Sequence, residues 1–389
     1  MRLARFIRRL SRFAASVWLV VVVATCGDAA GSGGREPWPL EPYLEGHLSP
    51  LEEPLLDDAA DGRWDRHCLL AAALVAGGAD EAIEIRRQEA RLGHWVAELA
   101  RSDKLSGPPR QQAEAIFAFM HERILTGGYQ LDATDPALAL DAGRFNCVSG
   151  TVLFACLARR CGLAVCGLEI PGHAKTRLLL DSGPLDVETT YPAWFQTARD
   201  PARQSPADAA GARELSPVEL VAMVYYNRGV DLLAEGRFAE AAAANAKAIR
   251  LDPQSDTARA NLLAVLNNWA IDLGSRGRYR EATDLLARGL ALKPDYATFK
   301  TNFVHVHHQW VAALCRAGAY EAALGRLAEA ARTLPGEPYF HEARSQIRSH
   351  SAHSGREQDH AQLASAGVEP ESTAQKAATI GRKLPAGAQ

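Results

Sequence analysis

The 389-residue sequence has no excess of positive charge: 43 Lys and Arg stand against 46 Asp and Glu, a formal net charge of −3. That balance gives no electrostatic argument for nucleic acid as a partner. There is no disulfide framework either. The seven cysteines, at 26, 68, 147, 156, 161, 166 and 315, are odd in number and lie in apolar surroundings, so they read as buried thiols plus one special one. Cys156, Cys161 and Cys166 are five apart, which fits no usual metal-ligand spacing, and the sequence calls for no metal and no cofactor. The apolar run Phe13 to Thr25 has thirteen residues, too few for a comfortable bilayer span. What remains, 47% apolar and 23% charged residues, is the composition of a soluble globular protein long enough for two domains and tails.

That short run has a different use. Arg2, Arg5, Arg8, Arg9 and Arg12 precede it without an acid, which is the form of an export signal. Residues 27–34 then read as a Gly-rich linker. Val23-Ala24-Thr25-Cys26-Gly27 resembles a bacterial lipobox with Cys26 as the lipidated residue, although Thr is unusual just before that Cys. Residues 1–34 therefore lie outside the expected fold. The expected location is periplasmic, or membrane-anchored as a lipoprotein, in a bacterium.

Pro37 to Pro54 is rich in Pro and Leu and reads as surface chain. Helical apolar spacing runs over Arg63–Val75, Ala79–Arg101 and Pro109–Leu125. His94 and His121 on these helices read as fillers rather than ligands, and Trp95 as core. Gly127 to Gly143, with Gly, Asp and Pro, reads as loop.

The chemistry concentrates after that loop. Cys147 opens an apolar, Ala-rich run that ends in basic residues and Gly162, the pattern of a helix with its stop. A thiol at a helix N-terminus meets the positive end of the macrodipole, which favours thiolate. Leu163–Ile170 reads as a strand, Pro171-Gly172 breaks the chain, and His173 follows. Ala174–Leu180 and Pro184–Thr190 read as two strands about an Asp181-Ser182-Gly183 turn, the second carrying Asp186 and Glu188. Thiol, imidazole and carboxylate in this order suit a nucleophile, its base, and a group that fixes the base's tautomer. With Asp181 and Ser182 central in the turn, Arg177 pairs with Asp186, Lys175 with Glu188 and His173 with Thr190. Glu188 is then diagonal to His173, about 7–8 Å away at Cα level and within reach of a Glu side chain. Asp186 faces Arg177 and is the alternative acid.

The segment Arg144–Thr190, with FNCVSGTVLFACLARR, EIPGH and DVETT, resembles the transglutaminase-like superfamily, close to its bacterial SirB-type branch. The likeness covers roughly residues 110–196. It implies a papain-like α+β core with Cys147 on a helix and His173 and Glu188 on adjacent strands, the Glu standing where Asp is commoner. Lys175, two residues after the His, is also a departure, since that position tends to be apolar or aromatic. The domain implied spans 35–200.

From Leu215 the chain becomes Ala-rich helix. Gly236, Gly277 and Gly318 recur with a period of 41, as do Pro253, Pro294 and Pro335, and Ala241, Ala282 and Ala323; Trp269 and Trp310 keep the same spacing. Tyr226-Asn227-Arg228-Gly229 through Leu251-Asp252-Pro253 resembles the tetratricopeptide repeat. That family's period is about 34, so about two extra helical turns per repeat are expected. The resemblance implies an all-α solenoid over 215–340, packing mainly on itself, that binds a protein or peptide. The amides Asn227, Asn268 and Gln309, with Asn261 and Asn302, are either peptide contacts or plain helix surface. His305, His307 and His308 read as an exposed or groove-lining cluster without a full ligand set. Residues 345–389, poor in large apolar side chains, read as a disordered tail. Two classes of function stay open: an exported cysteine acyl-transfer enzyme of peptidase, amidase or transamidase type, and a silent scaffold whose repeats carry an interaction.

Overall fold

The computed structural model describes residues 37–197 and 212–365, and side chains as far as 351. Cys26 and the expected export signal lie outside the described residues. The described chain is mostly helical with a small antiparallel sheet. No helix among the described residues is long and apolar enough to cross a membrane.

The chain divides into two compact units, with the boundary between Trp269 and Ala270. In the first, the stretch from Pro37, read as surface chain, carries a short helix α1 (Glu41–Leu44) and leads into a second, α2 (Glu52–Asp58). Helix α3 (Leu69–Gly77) is buried from Leu69 to Ala76, so it is a core helix, and it starts later than Arg63. Cys68 caps it, its sulfur accepting from Ala71 N at 3.4 Å. Helix α4 (Ala82–Ala100) buries one stripe, Ile85, Gln88, Leu92, Trp95 and Leu99. Helix α5 (Pro109–Arg123) buries Ile116, Phe117 and Met120, as its spacing suggests.

The stretch expected as loop before Cys147 is more ordered than that. Strand β1 (Gly128–Tyr129) pairs in parallel with β2 (Arg144–Phe145). Helix α6 (Pro136–Ala142) lies between them, capped by Asp135, which accepts from Ala137 N at 2.8 Å, and ended by Gly143 at φ 68°. Asp, Pro and Gly here are the start and stop of one short helix, not breakers.

Helix α7 (Cys147–Arg160) is buried continuously from Val148 to Ala158 and lies against β3 (Val165–Ile170) and β4 (His173–Leu178). These strands form a hairpin across Pro171-Gly172, with φ of 74° at Gly172, the composition of a type II turn. Beyond the Asp181–Gly183 turn, β5 (Leu185–Val187) returns with Arg177 opposite Asp186. The strands are shorter than the sequence suggested, but the register is the one the turn dictates. Short helix α8 (Trp194–Thr197) follows, and β6 (Arg213–Leu215) completes the sheet order β5-β4-β3-β6, each neighbour antiparallel.

The first repeat hairpin, α9 (Pro217–Ala234) and α10 (Phe238–Leu251), belongs to this same unit. The expected boundary near 200–215 therefore does not coincide with the division of the chain. Helix α9 is buried from Leu220 to Tyr226 without interruption and packs on α3, while α10 packs on α1 and α2. A helix buried on all faces belongs to a core, which explains why this repeat does not stand apart. The unit runs into α11 (Asp256–Ser275), where Trp269 stacks on Phe238, ring centroids 6.4 Å apart.

The second unit continues the repeat: α12 (Tyr279–Leu292), α13 (Ala297–Arg316), α14 (Tyr320–Thr333) and α15 (Pro338–Ser365). Gly277 and Gly318 sit at φ 76° and 73°, just past the first helix of a pair, and Pro294 and Pro335 lie just past the second. The first helix of each pair is the longer: α9, α11 and α13 have 18, 20 and 20 residues, whereas α10, α12 and α14 have 14 each. Trp310 stacks on Tyr279 as Trp269 does on Phe238, which accounts for the tryptophan spacing. His307 is 3% exposed, packed against Phe303 and Phe340, with Nδ1 at 2.9 Å from the Phe303 carbonyl; it is core, not groove. The chain expected to be disordered from 345 is helical to Ser365.

Two glycines of this unit give a paired test. A Cβ at Gly289 would lie 2.4 Å from ring carbons of fully buried Phe299, whereas nothing lies within 4 Å of one at Gly325. Overpacking costs about 1–3 kcal/mol, against a helix-propensity gain of about 1 kcal/mol for Ala over Gly. Thermal melts should show Gly289→Ala lowering the Tm and Gly325→Ala raising it. The same sign at both sites would refute the close approach.

Candidate active site

Cys147 is the first residue of α7, and the residue before it organises the site. Asn146 is extended and 3% exposed, with every side-chain polar atom engaged. Its Oδ1 accepts from Val148 N at 2.9 Å and Ser149 N at 3.1 Å, and its Nδ2 donates to Leu131 O at 3.0 Å and Thr134 Oγ1 at 2.8 Å. Ser149 Oγ completes a capping box, accepting from Asn146 N at 3.0 Å and donating to Ala133 O at 2.7 Å. The cap fixes Cys147 at the positive end of the helix and straps residues 131–134 around it. It also occupies the Val148 and Ser149 amides, so the Cys147 N–H is the helix-start donor left to the site.

His173 opens β4 and Glu188 follows the last residue of β5. Glu188 Oε2 lies 2.6 Å from His173 Nε2. Its other oxygen accepts from Thr190 N at 3.0 Å and Thr190 Oγ1 at 2.5 Å. The Cys147 side chain lies beside the same imidazole and favours its protonated form. With Nε2 held by Glu188, the ring nitrogen left for Cys147 is Nδ1. The structure thus brings Cys147, His173 and Glu188 together. Asp186 instead takes the Arg177 guanidinium, at 2.6 Å from Nε and 2.9 Å from Nη2. Arg177 also donates to Glu214 at 2.8 Å. Lys175 Nζ is 3.9 Å from Glu188 Oε2, a second cation beside the acid.

The electrostatics follow from these bonds. The His173 imidazolium is held up to about 9 by its hydrogen bonds with Cys147 and Glu188, against burial, which pulls it down. Burial pushes the Glu188 carboxyl up, but the bonds from His173 and Thr190 outweigh it and hold the group below the ordinary carboxylate value. Burial pushes the thiols of Cys68, Cys156, Cys161, Cys166 and Cys315 up, that of Cys166 to about 11.

The helix and the acid-bearing segment meet through small residues. Thr189 is fully buried, and its Oγ1 would be 3.2 Å from a Cβ at Gly150 and is 3.4 Å from Thr151 Oγ1. His121, read as a filler from sequence, packs between Phe117 and Phe145 and faces the Thr189 carbonyl. Burial pushes its pKa down, against the Thr189 carbonyl, which holds it up. Asn146 and Tyr129 were not singled out from sequence. The Asn before Cys147, with Ser149 three residues on, is a capping signature that pointed to the first; nothing local pointed to the second.

Cys147, His173 and Glu188 are all half-buried. The His173 and Glu188 side chains are 27% and 16% exposed. A cavity of about 320 Å³ beside Glu52, Tyr225, Arg228 and Lys247, and one of about 430 Å³ beside Trp64, His67 and Arg159, include no triad residue. Three exposed large side chains, Tyr129, Leu131 and Tyr191, lie on the segments flanking the triad in sequence. Among the described residues no group of three or more His, Cys, Asp or Glu is placed to hold a metal ion. Set against known proteins, the chain matches no family model, no curated protein and no solved structure.

Proposed function

We propose that the chain performs thiol acyl transfer on an amide, with Cys147 as nucleophile, His173 as general base and then acid, and Glu188 as the group that orients His173. One observation carries this reading: a single imidazole lies between a helix-start thiol and a half-buried carboxylate. In the proposed reaction Cys147 gives its thiol proton to His173, Sγ attacks the amide carbon, the C–S bond forms, and the carbonyl electron pair moves to oxygen. The Cys147 N–H donates to that oxyanion. His173 gives its proton to the departing nitrogen as the C–N bond breaks, leaving a thioester. Water or a second amine then attacks the thioester carbon while His173 takes its proton, the C–S bond breaks, and Cys147 leaves as thiolate with the acyl product released. The exposed Tyr129, Leu131 and Tyr191 on the flanking segments suit an amide presented on a polypeptide.

Within that class, the motif residues around Cys147, His173 and Glu188 favour a transglutaminase-like protein of the SirB-type branch. The hairpins of period 41 favour tetratricopeptide-like repeats that take a protein or peptide partner. Residues 1–34 favour export, with Cys26 as the lipid attachment point. The rival reading, a silent scaffold, is favoured by Lys175, whose ammonium lies 3.9 Å from the carboxylate that should serve His173 alone.

Thiol labelling separates the two. With iodoacetamide at neutral pH, Cys147 is expected to be carboxamidomethylated before the cysteines whose thiols burial holds protonated, and His173→Ala to abolish that preference. In an NMR titration His173 should protonate near 9 and fall toward the ordinary histidine value in Cys147→Ser, because the Cys147 bond is the largest cause of its elevation. An unshifted His173 with unselective labelling leaves Cys147 a structural thiol.

A further inference from the structure

The helix cap leaves the proposed oxyanion with one backbone donor, the Cys147 N–H, since Asn146 holds the next two amides at 2.9 and 3.1 Å. Acyl-transfer sites ordinarily present two. A second donor has to lie near Cys147, face solvent, and be uncommitted in the resting site. Tyr129, opposite Phe145 on β1, and Tyr226 both lie within electrostatic range of Cys147. Tyr226 is 7% exposed and already donates to Glu169 Oε1 at 2.9 Å. Tyr129 is 46% exposed, and its hydroxyl has no hydrogen-bond partner among the described residues.

The position of Tyr129 is fixed by backbone pairing. β1 lies parallel to β2 with Tyr129 opposite Phe145, two residues before Cys147, and the two rings meet edge to face at 6.0 Å. The strap over residues 131–134 that closes the Asn146 cap holds the C-terminal side of β1. A phenol on a two-residue strand is thus anchored from both sides, beside the strand that leads into Cys147.

On the reading of Cys147 as the acyl-transfer nucleophile, we propose that Tyr129 is a catalytic residue whose hydroxyl donates the second hydrogen bond to the oxyanion formed when Cys147 attacks. Burial, and then the charges of Cys147 and Glu188, push this phenol above its ordinary value, so it keeps its proton and remains a donor through the neutral range. In the step, the C–S bond forms, the carbonyl electron pair shifts to oxygen, and the Tyr129 O–H and Cys147 N–H share that charge. Neither gives up its proton. The pair returns as the leaving group departs, so Tyr129 is unchanged over the cycle.

The test uses two electrophiles on the full chain. Iodoacetamide alkylates Cys147 by displacement at an sp³ carbon and develops no oxyanion. Para-nitrophenyl acetate acylates it through a tetrahedral oxyanion. Tyr129→Phe should leave iodoacetamide labelling of Cys147 within about twofold of wild type and slow p-nitrophenolate release roughly 10²-fold, the scale of losing one oxyanion donor. Cys147→Ser sets the background for both probes. Equal losses with the two electrophiles would place Tyr129 on the thiol or the fold and overturn the proposal. No loss with either would also overturn it. The Cys147 reading itself fails separately, when wild-type Cys147 reacts with neither probe faster than an ordinary thiol.

Discussion

Glu188→Gln is expected to slow Cys147-dependent acyl transfer from p-nitrophenyl acetate by on the order of 10⁴-fold, as neutralising the orienting acid of a comparable triad does. The reason lies in the donor and acceptor roles. Glu188 presents only acceptors to His173 Nε2, 2.6 Å away, so Nε2 carries the proton and Nδ1 is left to exchange one with Cys147. Thr190 N and Oγ1 fix the other oxygen. In Glu188→Gln these two donors retain the side-chain carbonyl, and the NH₂ turns toward His173. Nε2 must then accept, the proton moves to Nδ1, and the base facing Cys147 is lost with little change of shape. Asp186→Asn provides the contrast. Its partner Arg177 is 21% exposed and keeps Glu214 at 2.8 Å, so the change costs about 1 kcal/mol or less and leaves the acylation rate alone. The measurement is the rate of p-nitrophenolate release across pH for both variants. A fall in Asp186→Asn with none in Glu188→Gln would assign the acid to the other carboxylate.

The parts of this site that were legible from sequence are those set by neighbours along the chain. The Asp181-Ser182-Gly183 turn and alternation along two strands are enough to place Arg177 opposite Asp186 and bring Glu188 to His173, because side-chain period 2 fixes every pair once one pair is known. Gly162 and the basic last turn are enough to end α7. What was not legible depends on contacts far apart in sequence. Strand β6 reaches β3 from more than forty residues downstream, and three residues, Arg213-Glu214-Leu215, carry no pattern of their own. The period of 41 reveals that α9 and α10 form a repeat but not what the first copy packs against. A signal was present: Leu220 to Tyr226 is apolar on every face of α9, unlike the corresponding parts of α11 and α13. Tyr129 was invisible for a similar reason, since a two-residue parallel pairing across a short helix leaves no periodicity to read.

Lys247→Ala is expected to destabilise the unit that carries Cys147 by about 3–5 kcal/mol, the scale of removing one partner from a buried ion pair. Lys247, on α10, places Nζ 2.7 Å from both oxygens of Glu52 on α2, with the side chains only 8% and 6% exposed. Tyr225 Oη at 3.2 Å and Ser49 N at 2.8 Å complete the ring of donors around Glu52. Burial pulls the Lys247 ammonium down while Glu52 holds it up, so the lysine depends on its partner as much as the reverse. Removing it leaves a carboxylate out of water with two neutral donors. Domains are stable by about 5–15 kcal/mol, so the loss is a large share of the total. It should appear in urea unfolding as a shift of one transition, followed equally by Trp95 fluorescence and by exposure of Cys147 to a thiol reagent. The double variant Glu52→Leu with Lys247→Met should recover most of it, because an apolar pair of similar volume leaves no stranded charge. A chain ending after Ser275 should unfold in the same single transition. One ending at 211 loses β6, α9 and the Lys247 contact, and should not fold cooperatively. If Lys247→Ala leaves the transition where it was, or the chain ending at 211 keeps a protected Cys147, then the first repeat is an appendage and the core closes without it.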